Sequence, residues 1–112
     1  MIKIRTQKNH LTIQGHANYA PKGFDIVCAG VTALVDSFIL SSGKEIKHTV
    51  TQDELSITIV KMTPELQGKL GMLITGLVDI AKDYGEYVVI DQAFKSEKDT
   101  EQVGVDLKHE ET

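Results

Sequence analysis

The sequence predicts an α+β fold, a two-layer sandwich in which about five mostly antiparallel strands are covered on one face by two helices. Three observations lead to this prediction. Several short stretches alternate apolar and polar residues, two longer stretches repeat apolar residues at helical spacing, and the segments follow the order ββαββαβ. The order of the strands within the sheet stays open.

The first two strands form a hairpin. Residues 1–5 and 11–14 alternate, and residues 7–10 between them carry turn-forming side chains. The alternation stops at Gly15-His16, where a glycine allows the backbone to turn sharply. We therefore expect His16 on a rigid strand end.

The first helix begins at Ile26, directly after Asp25. Aspartate is a preferred N-cap, and its carboxylate is placed to accept a hydrogen bond from the N–H of Cys28, three residues on. Apolar residues then recur at helical spacing until the helix ends near Gly43: Val27, Val31, Leu34, Val35 and Phe38. In the first turn, the helix dipole favours the Cys28 thiolate, whereas the charge of Asp25 opposes it.

A second hairpin follows the first helix. Residues 45–51 and 54–60 alternate on either side of Gln52-Asp53, and their apolar side chains share one face: Leu55, Ile57 and Ile59. His48 lies on the first of these strands. We interpret it as an ordinary strand residue, because strand surfaces carry many polar side chains without function.

The second helix begins at Thr63-Pro64, a capping hydroxyl followed by proline at the first helical position, and stops at Gly85. Its apolar face comprises Leu66, Leu70, Leu73, Ile74, Leu77, Ile80, Ala81 and Tyr84. Three glycines, Gly68, Gly71 and Gly76, interrupt it, each at a cost of roughly 1 kcal/mol relative to alanine. We expect them to pack closely against another backbone, either of this chain or of a second subunit. Residues 87–90 supply a last buried strand.

The length of 112 residues suits one domain, which we place at residues 1–92, followed by a charged tail at 93–112 that is flexible or loosely docked. A net charge of −4 and a single arginine, Arg5, disfavour direct binding to nucleic acid and suit a basic peptide instead. One cysteine forms no internal disulfide, and no secretion signal or membrane span is evident. We expect a cytoplasmic protein.

The lone cysteine has two interpretations. Cys28 is either a small core hydrophobe or a nucleophile activated by His16, and nearness in sequence does not establish contact between the two. Thr32 lies four residues after Cys28 on the same helical row, so its hydroxyl either approaches the sulfur or bonds back to its own helix. The loop 18–24 either closes over a peptide or is a plain connection.

Other chemistries lack the residues they need. A cysteine phosphatase requires an arginine six residues after the nucleophile, and position 34 is Leu34. A dithiol redox site needs a second cysteine, and the four histidines do not combine with Cys28 in a usual zinc spacing. Phosphate-loop and dinucleotide fingerprints are absent from the sequence. Acyl transfer remains, with no metal or other cofactor.

The segments Gly15-His16-Ala17, Asp25-Ile26-Val27-Cys28-Ala29 and Thr32-Ala33-Leu34 resemble the Prp family, small bacterial cysteine proteases that process a large-subunit ribosomal protein. The family more often has serine where this chain has Thr32. Similarity extends over about residues 1–92 and includes the second helix with its closing Asp-Tyr-Gly-Glu-Tyr.

The resemblance implies a cysteine protease with catalytic residues Cys28 and His16. In this hypothesis His16 accepts the thiol proton, the thiolate attacks a peptide carbonyl, and amides at the helix start hold the oxyanion. We expect supporting roles for Asp25, Thr32 and Gly15. Asp25 caps the helix and fixes the loop, with a role in orienting His16 as the alternative. The substrate loop carries Pro21, Gly23 and Phe24.

The resemblance also implies a substrate and an assembly. The substrate is the N-terminal extension of a ribosomal protein precursor, cut at a short aromatic-containing motif, and the protease is a homodimer. Two alternatives stay open. One is a catalytically inactive paralogue that binds peptides or takes part in ribosome assembly, and the other is a prophage-borne or divergent copy that cuts a phage structural protein.

Overall fold

The computed structural model describes residues 1–21 and 23–92. The predicted tail at 93–112 and loop residue 22 lie outside the described residues. In chain order the elements are β1 (Ile2–Gln7), β2 (His10–Gln14), α1 (Ile26–Ser42), a 3-10 turn (Gly43–Glu45), β3 (Ile46–Val50), β4 (Glu54–Ile59), α2 (Pro64–Asp83) and β5 (Val88–Gln92). The predicted α+β class and the order ββαββαβ are confirmed.

The sheet has the strand order β3-β4-β2-β1-β5. β1 pairs with β2 antiparallel, as do β2 with β4 and β3 with β4, whereas β1 and β5 are parallel. A parallel pair needs a crossover connection. α2 provides it, because it carries the chain from β4 to the opposite edge of the sheet.

Both helices cover the same face of the sheet and pack against each other. The alternation along β1 directs Ile2 and Ile4 to this face and leaves Lys3, which lies between them, exposed. One core contains buried side chains from both layers, among them Leu11, Val31, Phe38, Ile57, Leu66, Leu73, Leu77 and Val88. The helices are thus held where α1 can present its first turn at the end of β2.

The helix starts agree with the sequence and some ends differ by one or two residues. Thr63 caps α2 by accepting from the N–H of Leu66 at 3.1 Å. The helix ends at Asp83 rather than at Gly85, because Tyr84 already leaves helical geometry with φ −126°. β3 begins one residue later than expected, since Glu45 belongs to the 3-10 turn.

The glycines of α2 do not pack against another backbone in the described part of the chain. A Cβ added at Gly76 would meet Cδ1 of Leu34 in α1 at 2.8 Å, so this glycine makes room for a side chain. Cβ positions at Gly68 and Gly71 have no described neighbour within 4 Å. The expectation of a backbone contact is therefore wrong among the described residues, and a contact with a second subunit stays a prediction.

The segment Ile26–Glu45 is long and apolar enough to cross a membrane, by length and composition alone. This corrects the expectation that no run approaches such a span. Core helices pass the same test, and α1 buries Val27, Val31 and Val35 against the sheet and α2. The expected absence of a membrane role stays a prediction.

Candidate active site

The first turn of α1 fixes the position of Cys28. One oxygen of Asp25, Oδ1, accepts hydrogen bonds from the N–H groups of Val27 at 3.1 Å and Cys28 at 3.0 Å. Val27 is buried, and the half-buried side chain of Cys28 packs against the core. The predicted N-cap is confirmed, and Cys28 lies in the first turn as expected.

The sulfur of Cys28 has a backbone partner in the loop that follows β2. The N–H of Ala17 points at Sγ with a separation of 3.4 Å, and Ala17 itself is only 2% exposed. Because Ala17 directly follows His16, this contact brings the histidine backbone beside the cysteine. In the sequence, only the place of Ala17 in the Gly-His-Ala triplet pointed to it.

His16, Cys28 and Thr32 share a cleft made of two adjoining cavities. The larger, about 840 Å³, lies beside the loop and is also lined by Asn18, Gly23, Asp25 and Ala33. The smaller, about 270 Å³, lies between α1 and the β3–β4 turn and is also lined by Val50, Gln52, Asp53 and Leu55. The cysteine is therefore accessible from the same cleft as the histidine rather than sealed in the core.

The corner before His16 is held by contacts that are distant in sequence. The N–H of Gly15 donates to the carbonyl of Asp53 at 3.0 Å. Gly15 has φ +90°, and a Cβ at this position would collide with the carbonyl oxygen of Met1. Only glycine fits this corner without a shift of the backbone.

Asp25 also binds the loop. Its second oxygen, Oδ2, accepts from the N–H of Tyr19 at 3.0 Å. Hydrogen bonds to the carboxylate lower the pKa of Asp25, first that of Cys28 N–H and then those from the loop and Val27, while partial burial opposes the shift. A single carboxylate thus joins the start of α1 to the loop that carries His16.

Thr32 and the loop differ in how far they face the cleft. Thr32 is exposed beside both cavities, and no hydrogen bond of its hydroxyl occurs among the described residues. Gly23 lines the larger cavity, which Pro21 and Phe24 do not line. Phe24 is 76% exposed, and its N–H donates to the carbonyl of Pro21 at 2.9 Å.

The other histidines of the described chain belong to the sheet. His10 bridges two hydroxyls of β4, with Nδ1 3.0 Å from Thr58 and Nε2 3.0 Å from Ser56. His48 lies exposed on β3. Within residues 1–21 and 23–92, no group of three or more metal-binding side chains is gathered in one place.

The chain is similar to a family of known proteases over most of its length. A family model described as "Cysteine protease Prp" matches residues 1–89. The ribosomal processing cysteine protease Prp of Mycoplasma pneumoniae is 30% identical over 100 residues, which cover 87% of this chain and all of that protein. The protein of the same name from Bacillus subtilis is 31% identical over 101 residues, covering 75% of this chain and 90% of its own length.

Solved structures have the same fold. A crystal structure of the ribosomal processing protease Prp from S. aureus with a covalently linked product peptide aligns with TM-score 0.75 at 24% identity, covering 82% of this chain and 99% of that one. A second, with a substrate peptide, aligns with TM-score 0.65 at 20% identity, covering 81% and 96%.

Proposed function

Because the chain belongs to the Prp family of cysteine proteases, we propose that it cleaves peptide bonds with Cys28 as nucleophile and His16 as general base. The observation that carries the proposal is the hydrogen bond from Ala17 N–H to Cys28 Sγ at 3.4 Å. It ties the chain just after His16 to the sulfur. Both side chains line one open cleft, which a substrate can enter.

The reaction proceeds in two halves. The proton of the Cys28 thiol moves to the imidazole of His16, and the thiolate adds to the scissile carbonyl carbon. The C–N bond then breaks, the leaving amine takes the proton from His16, and a thioester remains on Cys28. Water attacks the thioester after giving a proton to His16, and the acid product leaves as the thiol re-forms.

The oxyanion needs a donor other than those expected at the helix start. The N–H groups of Val27 and Cys28 already donate to Asp25, so they are not free for the substrate. The N–H of Ala17 is directed at the reacting sulfur. An acyl group bonded to Sγ places its oxygen near this amide, and we assign Ala17 N–H as an oxyanion donor.

The supporting residues have separate roles in this proposal. Asp25 positions Cys28 and the loop, because both of its oxygens are occupied by backbone N–H groups rather than by His16. Gly15 forms the corner that precedes His16. Thr32 offers its hydroxyl to the bound peptide or to the imidazole, in place of the serine more usual in the family.

The proposed substrate is the N-terminal extension of a large-subunit ribosomal protein precursor. Support comes from the relatives in two bacterial genera, which are named as ribosomal processing proteases. A cavity on each side of Cys28 suits a chain that continues in both directions, as an endopeptidase requires. Of the loop residues expected to contact the substrate, Gly23 lines the larger cavity and is placed to meet the bound peptide.

The assembly and location of the enzyme are also proposals. We propose a homodimer in the cytoplasm that binds neither nucleic acid nor membrane. The exposed side of α2 suits a second copy, because Gly68 and Gly71 leave its backbone open and Met72 is 73% exposed. Light scattering of the purified chain tests the dimer, which is contradicted by a mass equal to that of one chain.

Mass spectrometry of a ribosomal precursor incubated with the enzyme tests the main proposal. The wild-type chain should release one N-terminal peptide and form a transient adduct on Cys28. Cys28→Ala should do neither. Cleavage that survives Cys28→Ala contradicts the nucleophile assignment, and a wild-type chain that binds the precursor without cutting it indicates an inactive paralogue. Cleavage of a phage structural protein alone would replace the substrate but not the mechanism.

A further inference from the structure

Three tyrosines from distant parts of the chain meet beside the active-site loop. The ring of Tyr19 stands edge-on to Tyr84, with centroids 5.6 Å apart at 87°, and to Tyr87, with centroids 5.2 Å apart at 83°. Edge-to-face pairs at this separation are favourable. Tyr19 belongs to the loop, whereas Tyr84 and Tyr87 flank the turn between α2 and β5.

The two partners of Tyr19 lie on rigid structure. The N–H of Tyr84 donates to Ile80 at the end of α2, and that of Tyr87 donates back to Tyr84. The carbonyl of Tyr87 accepts from Ile2, which joins the turn to β1. Both side chains also pack against the core. The segment Asp-Tyr-Gly-Glu-Tyr at 83–87 therefore forms a fixed platform for the ring of Tyr19.

Tyr19 is connected to the catalytic groups through its own backbone. Its N–H donates to Asp25 Oδ2, and the other oxygen of the same carboxylate caps the turn that holds Cys28. Two residues earlier in the loop, the N–H of Ala17 reaches the sulfur. The ring contacts of Tyr19 thus hold the segment between the histidine and the helix cap.

We propose that the aromatic cluster of Tyr19, Tyr84 and Tyr87 positions His16 and the Ala17 N–H against Cys28. These are positioning residues, because none of the three lines either cavity of the cleft. The cluster holds the start of the loop, next to Ala17 and His16, whereas Phe24 at its other end is exposed. This inference rests on the proposed function.

Steady-state cleavage of a peptide substrate by ring and hydroxyl variants tests the proposal. Tyr19→Phe keeps the ring and should retain wild-type kcat within about twofold. Tyr19→Ala removes both edge contacts from a side chain that is 41% exposed, so the variant should fold. Its kcat should fall by about 10- to 100-fold with KM within about threefold, because small displacements of catalytic groups are costly in rate.

Substitution of Tyr87, a ring partner of Tyr19, provides a second test. Tyr87→Leu should also lower kcat. The kcat of the double variant Tyr19→Ala/Tyr87→Leu should lie within about twofold of that of Tyr19→Ala, because the two changes remove one interaction. Val89→Ala is the matched control. It removes a 45% exposed side chain two residues further along β5 and should leave kcat unchanged.

Several results would overturn the proposal. They are a wild-type kcat in Tyr19→Ala, a change in KM alone, an equal loss in Tyr19→Phe, or additive losses in the double variant. Failure of the proposed function is distinct, because then the wild-type chain itself shows no cleavage that depends on Cys28. Amide exchange of Ala17 N–H should accelerate in Tyr19→Ala and not in Tyr19→Phe, which tests the positioning without turnover.

Discussion

Cys28 and His16 face one cleft but are held in place by different means. Cys28 is fixed locally, by a cap three residues away and by a helix whose apolar side is buried. His16 is exposed on a loop whose position depends on Asp53, Met1 and the aromatic platform, all distant in sequence. The proposed nucleophile is therefore part of a stable element, whereas the position of the proposed base depends on the tertiary fold.

Removal of the base should have the largest effect. His16→Ala should lower kcat/KM by about 10²- to 10⁴-fold, the usual contribution of a general base, with little change in stability because the side chain is exposed. His48→Ala on β3 is the matched control and should cleave like the wild-type chain. Peptide cleavage measured for both variants checks this, and equal activity in the two would remove His16 from the mechanism.

The corner before His16 should be the next most sensitive point. Gly15→Ala forces a side chain into a left-handed conformation against Met1, and we expect a loss of about 1–3 kcal/mol in the free energy of unfolding together with slower cleavage. Gly68→Ala has open space at its Cβ position and should instead gain about 0.5–1 kcal/mol. Urea unfolding measures the free energy of unfolding of both variants. Similar changes in the two would show that a side chain at position 15 causes no strain in the corner.

Acid should act on the carboxylate that joins the two regions. The pKa of Asp25 is lower in the folded chain than in the unfolded one, so its contribution to stability is present above about pH 4 and is lost as the pH falls through the folded value. Asp25→Asn should flatten this part of the stability curve between about pH 5 and pH 2 in urea unfolding. Asp36→Asn is the control for the change in net charge. A stability curve of Asp25→Asn that matches the wild-type curve would contradict the link between the ionisation of Asp25 and stability.

The smallest expected effect concerns Thr32. Thr32→Val removes the hydroxyl and should lower kcat/KM by about 2- to 10-fold, the worth of one hydrogen bond to the substrate or the imidazole. Thr32→Ser keeps the hydroxyl and should remain near the wild-type rate. A loss in Thr32→Ser equal to that in Thr32→Val would assign the effect to the methyl group and to packing instead.

The sequence was most informative where the interactions are local. The cap at Asp25 and the first-turn position of Cys28 follow from residues three apart, and Thr63 marks the start of α2 in the same way. The two hairpins also follow from neighbouring segments. Such features depend on short-range hydrogen bonds and on periodicity, which a single sequence displays.

The remaining features required contacts that periodicity does not encode. The placement of β5 beside β1 depends on the path of α2 across the sheet. The Ala17 contact with the sulfur and the Tyr19 contact with Tyr84 join residues 11 and 65 positions apart, and the periodicity of the sequence does not predict either contact. For Gly76 the expected partner was a backbone, and the observed partner is the side chain of Leu34. The sequence does not tell which side chain of α1 lies opposite this glycine.

The two cavities that meet at Cys28 also bear on inhibitor design. They share His16, Cys28 and Thr32, so an electrophile bonded to the sulfur has open space on both sides. A small warhead can be extended along the loop in one direction and toward the β3–β4 turn in the other. Asp53 and Glu54 line the second direction, whereas the first has, among the described acidic residues, only Asp25, whose carboxylate already accepts backbone hydrogen bonds. A cationic substituent should therefore be favoured toward the β3–β4 turn.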